Sequence, residues 1–182
     1  MTRHIGGRVH RSRYADFYTI LMTIDTQTLD PKRDPMGAAI LDYLTTGRAK
    51  TLTVMSSMFD DDEMPVDYLF RTTDSMPPLE LKALEMTRGT TLDVGAGAGC
   101  HALALQQRGV SVKAIDVSPL SCEAMRRRGI ADVECINLFD PRLGGGFDTI
   151  LMLMNGTGIA GKMSGLGGLL RRVASLLAPG GQ

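Results

Sequence analysis

The sequence predicts an α/β fold: a doubly wound parallel sheet preceded by an N-terminal helical appendage. Three observations predict it. From Thr90 onward, strand-like apolar runs alternate with helical patterns, the first strand passes directly into the glycine-rich turn "DVGAGAG", and Gly109 and Gly129 stop successive helices at matching places. Bulk properties fit one full-sized domain or a core plus an appendage. The 182 residues carry 20 basic and 20 acidic side chains, so no global field draws the chain to nucleic acid or to an anionic membrane. Cys100, Cys122 and Cys135 are too widely spaced for a zinc or iron–sulfur motif, and no metal site is expected. Free cysteines without a signal peptide fit a reducing compartment, so a cytoplasmic location is expected. No apolar run approaches the roughly 20 residues of a membrane span.

The elements follow in order. Residues 1–22 hold Arg3, His4, Arg8, His10, Arg11 and Arg13 before any acid, without apolar periodicity. A basic arm, a targeting peptide and a disordered extension upstream of a start at Met22 all compete here, and the tendency of termini to be disordered favours the last. Residues 23–88 read as an appendage or lid. Asp30 to Pro35 is turn-like, Met36 to Leu44 reads as a short helix ending before Gly47, and "TLTVMSSMF" is a strand or an extended segment. Asp60 to Glu63 reads as an acidic loop, since consecutive carboxylates do not converge on one ion by themselves. "MPPLELKALEMTRG" has prolines at a helix start, apolar Leu81, Leu84 and Met86, and Gly89 just past the end.

Residues 89–182 form the expected sheet domain. "TTLDV" is its first strand, followed by a helix over about 100–108 and a second strand, "VSVKAID". Ser118 then caps a helix with Pro119 in its first turn, and Arg126, Arg127 and Arg128 sit at the negative end of its dipole. "ADVECIN" is the third strand. "FDTILMLMN" is the fourth, apolar on consecutive residues as a strand covered on both faces should be. A last helix aligns Leu166, Leu169, Leu170, Val173 and Leu177 before "APGG".

Ligands of open parallel sheets bind beyond the carboxyl ends of the strands, where Gly95, Gly97 and Gly99 lie. The dinucleotide fingerprint GxGxxG needs a glycine where this chain has Cys100, and what stands here is DxGxGxG. Asp116 ends the second strand, 21 residues after Gly95, where a carboxylate can accept from both hydroxyls of a ribose. That implies a nucleoside and leaves open which one.

Taken together, "LDVGAGAG", "AIDVSP", "FDTILMLMNG" and "LLAPGG" resemble the successive motifs of class I S-adenosylmethionine-dependent methyltransferases, a Rossmann-like family. The resemblance runs from about Leu92 to the last residue. The helix at "MPPLELKAL" and "NGTG" also look like an uncharacterised bacterial branch of small methyltransferases. The resemblance implies S-adenosyl-L-methionine as cofactor and a methyl acceptor that is a small molecule. It implies that Asp93 helps place the methionine end, directly or through water, that Gly95, Ala96 and Gly97 give the backbone approach, and that Asp116, with Val117 beside it, binds the ribose. Asn137 stands where many relatives carry an aspartate accepting from the adenine amino group, and Leu138 with Phe139 would border that base. Asn155 would face the reactive sulfonium. The Asn/Asp-Pro-Pro-aromatic pattern of base methylation is absent, since Gly156 and Thr157 follow Asn155.

A sulfonium methyl is already activated, so the resemblance demands alignment rather than a base. His101 opens the helix after the glycine turn, where the dipole disfavours a charged imidazolium, and reads as a packing residue. Tyr43, Tyr68 and Arg71 fit lid and scaffold roles equally. Family members continue past "PGG" into further strands, so the chain is expected to be incomplete at its C-terminus, with the fourth strand left as a long unpaired edge. Two other functions compete: an NAD-dependent oxidoreductase, and a noncatalytic nucleoside-binding fragment.

Overall fold

A computed structural model describes residues 26–48, 50–55 and 60–182. The extension expected over residues 1–22 lies outside the described residues. The first helix, α1 (Pro35–Thr46), starts where the sequence dictates. Asp34 accepts from the Gly37 N–H at 2.8 Å, Pro35 takes the first turn, and Gly47 ends the helix in the left-handed region with its N–H on the Tyr43 carbonyl.

The appendage is not all helical. Strands β1 (Thr51–Val54) and β2 (Asp62–Pro65) pair antiparallel, Thr51 opposite Pro65 and Val54 opposite Asp62. Half of the expected acidic loop, Asp62 and Glu63, is therefore strand. Both strands are short and largely exposed, so period-two apolar alternation, the signal that marks a half-buried strand, is faint in them. Helix α2 (Pro78–Met86) follows two 3-10 turns and leads to the sheet.

The sheet has four parallel strands in the order β5 (Asp132–Cys135), β4 (Val112–Asp116), β3 (Thr91–Val94), β6 (Thr149–Leu151). Between them run α3 (Cys100–Gln107) and α4 (Pro119–Arg127), and α5 (Leu166–Leu176) comes last. Alternation along the strands sends side chains to two cores. Val112, Ala114 and Leu151 face α2, α3 and α4, whereas Leu92, Val94 and Ile115 face Leu169 and Leu176 of α5. The sheet is thus covered on both faces, as the doubly wound reading required.

The fourth strand departs from expectation. It covers three residues rather than nine, because Met154 and Asn155 adopt φ of 52° and 66° and turn the chain out of the sheet. Leu153 and Met154 belong to the rim of a cleft instead. Nor is the edge bare along 147–150. Phe147 bridges to Leu177, Ile150 N–H donates to Gln182 O at 2.9 Å, and Gln182 N–H donates to Asp148 O at 3.0 Å.

The appendage is fastened to the sheet domain by two helix caps that share a bond. The Ser118 hydroxyl accepts from Ser121 N–H to cap α4 and donates to Asp34, the cap of α1, at 2.5 Å. Gly37 makes this possible, since a Cβ there would lie 2.3 Å from both Asp34 Oδ2 and Ser118 Oγ. Gly37→Ala is expected to destabilise the protein by about 1–3 kcal/mol through this overpacking. Urea unfolding checks it, and an unchanged midpoint would remove the shared cap from the account.

Candidate functional site

The glycine turn leaves β3 with Gly95, Gly97 and Gly99 at φ of 68°, 57° and 77°, conformations that side chains other than glycine rarely adopt. The three do different work. At Gly97 a Cβ would meet nothing within 4 Å, so the bare backbone faces open space, and at Gly95 only Ile159 comes as near as 3.9 Å. At Gly99 a Cβ would collide with Ile130 and Met125, so that glycine serves the packing of α3. The turn is wired internally: Gly95 and Ala96 N–H both donate to Ile115 O, Gly97 N–H to Asp116 Oδ2 and Gly99 N–H to Ala96 O.

Two adjoining clefts open along this turn, of about 390 and 260 Å³, and share Val94, Gly95 and Asp116. Together they make one trough with Asp116 at its middle. The larger cleft holds Asp93, Ala96, Gly97, His101 and Asn155, and the smaller holds Val117, Asn137, Leu138 and Ile159. Of the ten residues singled out in the sequence for the cofactor, nine therefore line one trough, Phe139 being the exception. Asp116 accepts from Gly97 N–H at 2.8 Å and Ser118 N–H at 2.9 Å, one bond to each oxygen. Burial raises its pKa above the usual aspartate value, against the pull of those N–H groups. Asn137 forms a local turn, its Oδ1 accepting from Phe139 N–H at 3.0 Å while its amide donates to Gln27 O. Phe139, expected beside Leu138, is buried in the core beneath.

Asp93 is 2% exposed, and its Oδ2 has no hydrogen-bond partner. Burial raises its pKa to about 6, more than the opposing pull of His101 and the Ala102 N–H can offset. His101 is also buried, with Nε2 2.8 Å from Glu80 Oε2. The same Glu80 oxygen takes Arg71 Nη2 at 2.5 Å and Nε at 3.1 Å. Burial disfavours the Glu80 carboxylate, yet Arg71 and His101 hold its pKa below the usual value. At His101, burial works against the imidazolium, but Cys100, Asp93 and Glu80 outweigh it and raise the pKa to about 9. The sequence reading expected the helix dipole to keep this imidazole neutral. Neighbouring Cys100, Asp93 and Glu80 reverse that.

Arg71, Glu80, Asp34 and Ser118 were not singled out as site residues. A charged residue inside the apolar stripe of "LELKAL" was the available sign for Glu80, since an acid on a buried face needs partners. Above the trough, Leu29 N–H donates to Val117 O at 2.8 Å, laying the segment before α1 across the strand ends. Among the described residues, no group of three or more His, Cys, Asp or Glu side chains converges as a metal site, and no helix is long and apolar enough to cross a membrane.

A parallel sheet of this order, with a glycine turn after its first strand and an acid after its second, defines a nucleoside-binding α/β fold. Residues 91–181 match the methyltransferase domain family, and the chain belongs to it, with the fold of class I S-adenosylmethionine-dependent methyltransferases. A crystal structure of a SAM-dependent methyltransferase from Bacteroides fragilis, in complex with S-adenosyl-L-homocysteine, is 53% identical over 87% of this chain, with a TM-score of 0.83. The chain spans 66% of that protein's length. A sugar N-methyltransferase from Streptoalloteichus is 18% identical, covering 100% of this chain and 56% of its own, at a TM-score of 0.49. A methyltransferase from Streptomyces caelestis is 21% identical, covering 59% and 51%, also at 0.49. No protein of curated function matches.

Proposed function

We propose that the chain binds S-adenosyl-L-methionine along the trough and serves methyl transfer to a small-molecule acceptor in the cytoplasm. The observation that carries this reading is the central place of Asp116. Its carboxylate divides a cleft ending in a buried, unpartnered acid from a cleft ending in Asn137 and Leu138. That order suits a molecule with an ammonium at one end, a sugar in the middle and a flat base at the other. When bound, the cofactor supplies a methyl already activated on a sulfonium.

The chain's own residues then have simple tasks. Asp116 accepts from the sugar hydroxyls, Asp93 Oδ2 receives a cationic group, and the open backbone at Gly97 lets the ligand approach closely. Asn137 stands at the base end of the trough as a polar side chain, and Leu138 offers an apolar border. The residues fit the group, because a buried carboxylate oxygen without a partner is costly unless a ligand supplies one. Met36, Val54 and Met64 of the appendage and Met154 opposite make an adaptable apolar mouth suited to a small acceptor, and Asn155 stands beside it. Orientation of an acceptor in such a cleft can contribute up to roughly 7–11 kcal/mol to catalysis.

A dinucleotide suits the trough poorly. Its pyrophosphate needs backbone N–H donors, and those of Gly95, Ala96, Gly97 and Gly99 are already spent on Ile115, Asp116 and Ala96. S-Adenosylhomocysteine at a hundredfold excess over its Kd is expected to raise the Tm by about 5–10 °C, and NAD to leave it unchanged. A shift with NAD alone would reverse the assignment.

A further inference from the structure

The glycine turn has a back as well as a front. Its front is the bare backbone at Gly97, which meets the trough. Its back is Ala98, 2% exposed and packed with Ile40 of α1, Val66 and Leu69 of the 3-10 turn Val66–Phe70, and Ala124 of α4. One residue further on, a Cβ at Gly99 would strike Met125 of α4 and Ile130 just beyond that helix. The turn is therefore seated between the end of α4 and the appendage.

Arg128 closes the seat. It is the residue after α4, with Gly129 next at φ of 86°, and its side chain is half-buried, unlike those of Arg126 and Arg127. Its Nη1 donates to the Ala98 carbonyl, and its Cζ lies 4.8 Å from the centroid of the Phe70 ring. Phe70 in turn tilts against Tyr43 of α1, with ring centroids 4.7 Å apart. A planar guanidinium can donate from its edge while its face lies on a ring, which suits arginine to this place. Gly99 N–H meanwhile donates to Ala96 O at 2.7 Å, so the Ala98–Gly99 peptide is held at both ends. Glycine on either side of Ala98 gives that peptide little resistance of its own to flipping, so the donor from outside the turn decides its orientation.

Resting on the cofactor reading above, we propose that Arg128 is a positioning residue: it locks the Ala98–Gly99 peptide so that the backbone at Gly97 stays open to the ligand, and Phe70 ties the lock to the docked appendage. Neither Arg128 nor Phe70 is among the residues lining the two clefts, so both act through the turn rather than on the ligand.

The experiment takes the full chain and two readouts: calorimetric affinity for S-adenosylhomocysteine well below each variant's Tm, and amide hydrogen exchange by NMR without ligand. Arg128→Met is expected to weaken binding about tenfold and to speed exchange at the Gly99 N–H about tenfold, while exchange at Ala114 within β4 stays unchanged. Arg128→Lys keeps a donor for the Ala98 carbonyl and is expected to bind within about threefold of the wild type. Phe70→Leu keeps an apolar cover but removes the ring, and is expected to show about a threefold loss of affinity with the same local rise in exchange. A merely structural arginine would lower the Tm and raise exchange at Gly99 and Ala114 alike, with affinity unchanged, and that result overturns the proposal. Should Arg128→Met fail to fold, Phe70→Leu decides, since wild-type exchange at Gly99 in that variant overturns the link to the appendage. A wild-type chain that does not bind S-adenosylhomocysteine removes the cofactor reading and the ligand role with it, whereas exchange at Gly99 still tests the lock by itself.

Discussion

Replacing Asp116 by alanine is expected to lower the affinity for S-adenosylhomocysteine roughly a hundredfold or more. Two sugar hydroxyls each lose a bond to a charged acceptor, and such bonds contribute about 1.5–3 kcal/mol apiece. The same substitution strips the acceptor from Gly97 N–H, which Asp116 Oδ2 holds at 2.8 Å, and loosens the turn the ligand rests on. Asp116→Asn separates the two effects. It keeps one oxygen for a single acceptor role and puts an amide donor where the other N–H points, so it too should bind weakly. Calorimetric titration at pH 7.5 reads both. An affinity within threefold of the wild type for the alanine variant would move the sugar site elsewhere.

The largest effect on stability is expected at Glu80. Glu80→Ala leaves the Arg71 guanidinium and the His101 imidazolium buried without their shared carboxylate, and breaking a buried pair in this way costs roughly 3–5 kcal/mol. Glu80→Gln retains an oxygen that can accept from one of them and is expected to fall between. The midpoint of urea unfolding measures the loss. Raising the pH from about 6.5 through about 9 should shrink the alanine penalty, because the wild type then loses its His101–Glu80 ion pair as the imidazole deprotonates and only the Arg71 pair is left to break. A penalty below about 1 kcal/mol at pH 7 would mean that Arg71 or His101 finds another partner at no cost.

What the sequence made legible follows from range. The glycine turn, the Ser118 cap, Pro119 and the acid closing β4 are read within a few neighbouring residues, and the structure gathers the glycine turn, Ser118 and that acid along one trough. Contacts over longer separations carried no local sign of the partner's identity. Ser118 reaches Asp34 across 84 positions, and His101 reaches Glu80 across 21. Ser118, Asp34 and His101 each had a satisfactory local reading, as a cap, a turn residue and a packing residue. The end of β6 was hidden for another reason. Met154 and Asn155 take positive φ in the middle of an apolar run, where neither residue type announces a turn. β1 lies in the segment read as a strand or an extended stretch, but its partner β2 escaped because its exposed faces blur the alternation on which strand reading depends.

One hydroxyl, that of Ser118, closes the first turn of α4 and at the same time ties down the residue that begins α1. Neither helix can fray at that end without exposing the other. Peeling away residues 26–35 is therefore expected not to release a separate flap but to unseat a turn in the wall of the trough, so that the cover and the cradle melt as one cooperative unit.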